Sequence, residues 1–136
     1  TRVEDAISLV ALTVCLHRML YRLRRDNQRW RIYARMLINE NRWRAMRYSY
    51  DEGMIDFGEG EVVPFPTLLD ELIGFVAEDA QALNCEAELA RLPEILTRGS
   101  SAHKQVSIYD SAIVEGHSRQ QALNAVVDWL ISETVR

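Results

Sequence analysis

The run "AISLVALTVCLHRML" (Ala6 to Leu20) would place apolar side chains all round a helix, not along one stripe. A helix of that kind cannot rest on a single flat neighbour. It is central to a larger body or pressed against a partner, so the chain reads as a piece of a longer protein. Thr1 and Glu4 stand in T-x-x-E spacing just ahead of the run, and the helix is predicted to begin at the first residue. The apolar stretch from Ala6 to Leu16 is too short to span a bilayer and lacks the layout of a signal peptide. No membrane partner is therefore expected, and the cytoplasm is the expected location.

Charge divides the chain sharply. Residues Thr1 to Tyr50 hold eleven Arg against four Asp or Glu, while Asp51 to Arg136 hold sixteen acids against five basic residues. Such asymmetry marks either a surface for a polyanion or two halves that pair with one another. Lysine occurs once, at Lys104. Arginine makes planar, bidentate contacts to carboxylate and phosphate, which tilts the reading toward defined anion contacts. The chain as a whole is acidic and carries no groove-reading motif, so nucleic acid is not expected as a partner.

At 136 residues the chain is predicted to be a single helical domain or fragment, mainly α, with about five helices and one short hairpin. Clustered charge and Asp-Asn in "RRDNQ" end the first helix, and a second is predicted over Tyr33 to Tyr48. "MIDFGEGEVVPF" alternates Ile55 and Phe57, turns through Gly58-Glu59-Gly60 and resumes with Val62 and Val63, the pattern of a hairpin. Pro64 and Pro66 end it, and Thr67 is predicted to cap a third helix. Leu69, Leu72, Ile73, Val76, Ala80 and Leu83 keep that helix's period, with Asn84 as its stop. "EAELARLPEIL" predicts a fourth helix that tolerates Pro93 only near an end or kink. "TRGSSAHKQ" reads as a loop, followed by a helix through Val114 to Gly116. Ser118 with Gln121 forms a capping box for the last helix, "RQQALNAVVDWLISET".

No phosphate-cradling glycine loop occurs, and His17, His103 and His117 lack metal-ligand spacing. His17, on an apolar helix, reads as a core histidine, and Glu78-Asp79 as part of a solvated helix face. Cys15 and Cys85 match no metal or redox spacing and are expected to be free thiols. No complete active site is legible, and the isolated chain is expected to be inactive.

The stretch "ENRWRAMRYSY" (Glu40 to Tyr50) sets Arg42, Arg44 and Arg47 among Trp43, Tyr48 and Tyr50. It fits an amphipathic helix whose aromatics enter the core and whose arginines pair with acids, and it fits an anion pocket. Together with "TRVED" (Thr1–Asp5), "LRRDN" (Leu23–Asn27), "IDFG" (Ile55–Gly58), "SSAHKQ" (Ser100–Gln105), "YDSA" and "DWLI" (Asp128–Ile131), it resembles the C-terminal portion of the carboxylate-amine ligases, the glutamate–cysteine ligase type 2 family. Order and spacing are kept along essentially the whole chain. Ser49 stands where that family has Gly after Arg-Tyr, which makes a turn of positive φ less comfortable.

The resemblance implies the helical C-terminal part of an α+β, glutamine synthetase-like ligase that uses ATP and Mg²⁺. It implies activation of the γ-carboxylate of glutamate as an acyl phosphate, followed by attack of an amine such as cysteine. The metal-holding carboxylates would lie on a sheet upstream of "TRVED", leaving this chain a few substrate-facing groups, with Asn41, Arg42 and Arg47 as candidates. Arg44 is expected to face solvent. A free-standing helical interaction module without catalysis is the alternative. In either case the all-round apolar first helix leads us to expect a homo-oligomer.

Overall fold

The computed structural model describes residues 3–30 and 32–134. They form seven helices and one two-stranded hairpin, and the architecture is mainly α. The helices are α1 (Val3–Arg25), α2 (Arg35–Tyr48), α3 (Phe65–Leu83), α4 (Glu86–Ala90), α5 (Leu92–Arg98), α6 (Ser101–Val114) and α7 (Arg119–Thr134). Strands β1 (Met54–Ile55) and β2 (Val62–Val63) pair antiparallel, Met54 opposite Val63 and Ile55 opposite Val62. The chain divides into two compact units, one ending at Leu96 and one running from Thr97.

In the first unit α1 packs along α3 and α4. Cys15 and Met19 of α1 meet Leu69, Val76 and Ala80 of α3, with Leu89 and Leu92 completing the core. The thiols of Cys15 and Cys85, seventy positions apart, touch at 3.4 Å and are free. Burial first, and the Cys85 hydrogen bond second, push the Cys15 thiol up to about 11.

The apolar circumference of α1 is only partly used. Val3, Ile7, Val10 and Val14 are exposed, spaced three or four apart along one face, and Tyr21, also exposed, follows two turns on. By length and composition α1 can cross a bilayer, because the helix runs well beyond Ala6 to Leu16 and an 18-residue stretch has a mean hydropathy of 1.4. In this fold its opposite face instead makes the seam with α3. His17, expected in the core, is on the exposed side, where its Nδ1 is 2.8 Å from the Thr13 carbonyl. The expected Thr1 cap lies outside the described residues.

The acidic pair read as solvated is split by the helix period. Glu78 is exposed, but Asp79 lies three residues after Val76 on the buried stripe and is 0% exposed. Its carboxylate accepts hydrogen bonds from Arg18 Nη1 and from Arg22 Nη2, the latter at 3.0 Å, while Arg22 Nη1 also reaches Glu78 at 3.5 Å. Here the basic half of the chain does pair with the acidic half. Burial alone would push the Asp79 carboxyl up, but hydrogen bonds from Arg22 and Arg18 outweigh it and hold the group below its ordinary value.

Local signals account for most helix ends. At Asn84 (φ 53°, ψ 45°) the chain leaves α3 in left-handed geometry, and the Cys85 N–H returns to the Ala80 carbonyl at 3.1 Å. Thr67 is not the cap of α3. The helix opens at Phe65 with Pro66 in its first turn, where a missing N–H costs nothing, and Thr67 N–H already donates to the Pro64 carbonyl. The single helix predicted from Glu86 breaks at Arg91 into α4 and α5, with Pro93 in the first turn of α5.

In the second unit α6 and α7 pack on each other around Ala112 and Ala122, whose small side chains allow close approach. Gly116 (φ 86°) closes α6, and Ser118 with Gln121 caps α7 by two reciprocal bonds of 2.8 and 3.4 Å. Most of the predicted loop "TRGSSAHKQ" is helical, because Ser100 caps α6 in a box closed by His103. His103 fills the place that Glu or Gln usually takes, so the box lacks the usual sequence signature.

Because the folded pKa of Asp79 lies below the unfolded one, its contribution is complete above the ordinary value of 3.8 and is lost as pH falls through the folded value. Replacing Asp79 by Asn leaves Arg18 and Arg22 facing a neutral group and is expected to cost on the order of 3 kcal/mol near neutral pH. It should also flatten the acid limb of stability below about pH 4. Denaturant melts of both proteins across that range check both effects.

Candidate functional site

Helix α2 lies against β1 and turns two different faces to its surroundings. Leu37, Asn41, Arg44 and Tyr48, spaced four, three and four apart, are its half-buried side. Arg42, Trp43, Met46 and Arg47 are exposed.

Asn41 works as an extra strand partner. Its Nδ2 donates to the Ile55 carbonyl at 2.8 Å and its Oδ1 accepts from the Ile55 N–H at 2.7 Å. One side-chain amide thus satisfies both backbone groups of a β1 residue that β2 leaves open. Arg44, expected to face solvent, is instead folded onto the same segment. Its Nη2 donates to the Glu52 carbonyl at 2.8 Å and its Nε to the Gly53 carbonyl at 3.2 Å. The signal was present in the sequence, since Arg44 follows Asn41 by three residues and shares its face.

The approach is close at Gly53, where φ is 71° and a Cβ would fall 2.3 Å from the Val63 carbonyl oxygen. At the hairpin tip, Asp56 Oδ1 accepts from Gly58 N–H at 2.6 Å and Gly60 takes φ 78°, as the predicted turn requires. Tyr33, expected inside α2, lies before it and meets the Phe57 ring at 4.8 Å.

The aromatic residues of the stretch stay near the surface. Trp43 is 48% exposed and meets Tyr48 edge-on, with ring centroids 5.6 Å apart. The guanidiniums of Arg44 and Arg47 each lie 6.0 Å from the Tyr48 centroid. Tyr50 stacks on Phe65 at 6.3 Å, and its hydroxyl donates to the Leu96 carbonyl at 3.4 Å. Of the three sequence candidates, Asn41 is engaged with β1, while Arg42 and Arg47 are exposed, Arg47 over the Tyr48 ring.

This arrangement can bind anions. It can also stack or shield a planar group. Among the described residues no three His, Cys, Asp or Glu side chains converge. The described residues therefore offer no dedicated metal cage, whereas Mg²⁺ on a phosphate substrate takes only one or two protein carboxylates.

Comparison with known proteins gives the family. Residues 1–127 match glutamate-cysteine ligase family 2. A Rhodospirillum rubrum protein named "Putative glutamate--cysteine ligase 2" is 56% identical over 135 residues, covering 99% of this chain and 35% of that protein. Proteins of the same name from Jannaschia sp. and Paracoccus denitrificans are 52% and 46% identical over 132 residues, covering 97% of this chain and 35% of each relative. The chain spans about a third of the length of these curated relatives. No solved structure matches it. By name the relatives are ligases. The chain belongs to glutamate-cysteine ligase family 2.

The departure at Ser49 has a structural cost. Ser49 has φ 56° and ψ −122°, the first central position of a type II′ turn closed by the Asp51 N–H on the Tyr48 carbonyl at 3.1 Å. Glycine takes that conformation freely, whereas serine is strained in it. Ser49→Gly is therefore expected to raise stability by about 1 kcal/mol, with the α2–hairpin contacts unchanged. Thermal melts of the two proteins measure the gain.

Proposed function

We propose that this chain is the helical C-terminal part of an ATP-dependent carboxylate–amine ligase of the glutamate–cysteine type. Membership of the family over nearly the whole chain carries this reading, and the outward arginines of α2 give it a chemistry. In the proposed reaction an oxygen of the glutamate γ-carboxylate attacks the terminal phosphorus of ATP and ADP leaves. The nitrogen of an amine such as cysteine then attacks the acyl carbon, phosphate leaves and the amine loses a proton.

Both steps spread negative charge over phosphoryl oxygens, and fixed cations lower the barrier by meeting that charge as it develops. Arg42 and Arg47 are assigned this role, as charge-assisted donors to phosphate or to the substrate carboxylates. Asn41 is assigned a positioning role, because it holds the hairpin against the helix that carries both arginines. Mg²⁺, which would neutralise phosphate charge, is assigned to carboxylates outside the described residues.

A second reading is favoured by the open face of α1, where Val3, Ile7, Val10, Val14 and Tyr21 remain exposed. A strip of that length exceeds the scattered apolar residues normal on a monomer's surface. On this reading the chain forms a homo-oligomer through α1. Light scattering on the 136-residue chain is expected to give a dimer or larger species at roughly 10–50 μM, weakened by Val10→Glu. A clean monomer at that concentration removes the reading.

In the full-length ligase, Arg47→Ala is expected to lower kcat/KM by about 2–4 kcal/mol of transition-state stabilisation while leaving the melting temperature unchanged. Arg44→Ala is expected to act through stability, since it removes two hydrogen bonds to the hairpin backbone. Steady-state kinetics and melts on the two variants separate the roles. Full activity of Arg47→Ala would remove that residue from the site.

A further inference from the structure

Where α1 ends, the chain builds a second cationic feature that the α2 reading does not use. A groove of about 550 Å³ is lined by Leu20, Leu23, Arg24, Asn27, Gln28, Arg29 and Trp30. That volume lies in the range of small-ligand sites. The lining contains two permanent cations, two side-chain amides and an indole, and no carboxylate.

Neighbouring arginines differ from these two. Arg18 and Arg22 pair with Asp79, Arg22 also reaching Glu78, and Arg25 meets Asp26 at 3.3 Å. Arg24 and Arg29 make no ion pair with any described residue.

The C-terminal end of α1 is the negative end of its dipole, which favours the guanidiniums beside it and which an anion bound there has to overcome through them. The N–H groups of Asp26, Asn27 and Gln28 donate to the carbonyls of Arg22, Arg24 and Leu23 at 3.0, 3.2 and 2.8 Å, so these last carbonyls of α1 are capped. Asn27 takes φ 57° to make that turn and carries the chain into the groove wall. Trp30 is fixed edge-on by Phe75, with centroids 5.6 Å apart and planes at 81°. It remains 42% exposed, so part of the ring is open to a ligand.

We propose that this groove binds a nucleoside polyphosphate, with Arg24 and Arg29 taking the phosphates and the Trp30 indole taking the base. A guanidinium matches phosphate oxygens in charge and geometry, and an indole offers a flat stacking surface. The proposal deepens the ligase reading by naming where on this chain its nucleotide would be held, and it rests on that reading for the choice of nucleotide.

Calorimetric titration of the full 136-residue chain with ATP, inorganic triphosphate and adenosine tests it, with tryptophan fluorescence as a second readout. ATP is expected to bind, triphosphate to compete with it, and adenosine alone to bind far more weakly. Arg24→Gln/Arg29→Gln should weaken both anions at least about tenfold. Trp30→Leu should weaken ATP but not triphosphate. Circular dichroism shows whether each variant is folded, and the single Arg24→Gln and Arg29→Gln variants replace a double variant that is not.

Three results overturn the proposal: no binding of ATP at about 1 mM, equal binding by the folded arginine variants, or triphosphate binding with no further contribution from the base. ATP binding lost in Arg42→Gln/Arg47→Gln but kept in the groove variants also sinks it, and leaves the ligase reading standing. A groove that binds ATP in a full-length protein without ligase activity has the opposite meaning, keeping the site and removing the reaction.

Discussion

Asp79 is the one fully buried carboxylate among the described residues, and two arginines of another helix reach it. A carboxylate taken out of water is costly unless paired and hydrogen-bonded, so α3 can bury Asp79 only where α1 brings Arg18 and Arg22 beside it. That condition fixes the register between the two longest helices. Once α1 and α3 are in register, Cys15 and Met19 fall opposite Val76 and Ala80, and α4 and α5 add Leu89 and Leu92 to the core. The same pairing accounts for part of the charge asymmetry, in which an arginine-rich beginning meets an acidic remainder.

A division of labour among the arginines follows from what lies within reach of each. Arg18 and Arg22 are held by carboxylates and Arg44 by backbone carbonyls, so their charges or donors are committed to the fold. Arg24, Arg29, Arg42 and Arg47 have no acidic partner among the described residues; Arg24 and Arg29 share a groove with Trp30, and Arg47 lies over the Tyr48 ring. Arginine suits both duties because its charge is permanent and its donors form a rigid fork. The near absence of lysine is consistent with defined contacts over diffuse attraction.

Asn41 illustrates how a polar residue typical of binding sites can be given to architecture. A two-residue strand has little stability of its own, and the Asn41 amide completes the hydrogen bonding of Ile55 from the open side. With Arg44 beside it, the hairpin becomes part of the helix that carries Arg42 and Arg47. Rigid support of this kind is what a site needs if its cations are to meet a charge that forms only briefly.

The sequence by itself determined what local chemistry controls. The period of α3, its stop at Asn84, the Ser118–Gln121 box and the glycine turn of the hairpin were all legible, because each is set within a few residues. Motif order gave the family, since those motifs are strung along the chain in a fixed spacing. Near misses came where a local rule had an uncommon filling, as with His103 in a capping box or Pro66 inside the first turn of α3. Tertiary structure decided which polar groups are used up. Asp79 beside Glu78, or Arg44 beside Trp43, looks like a surface residue until a partner many positions away is placed against it. Whether a charge is buried, shared or left open depends on the desolvation and pairing that packing imposes, and neither quantity exists before the chain has folded.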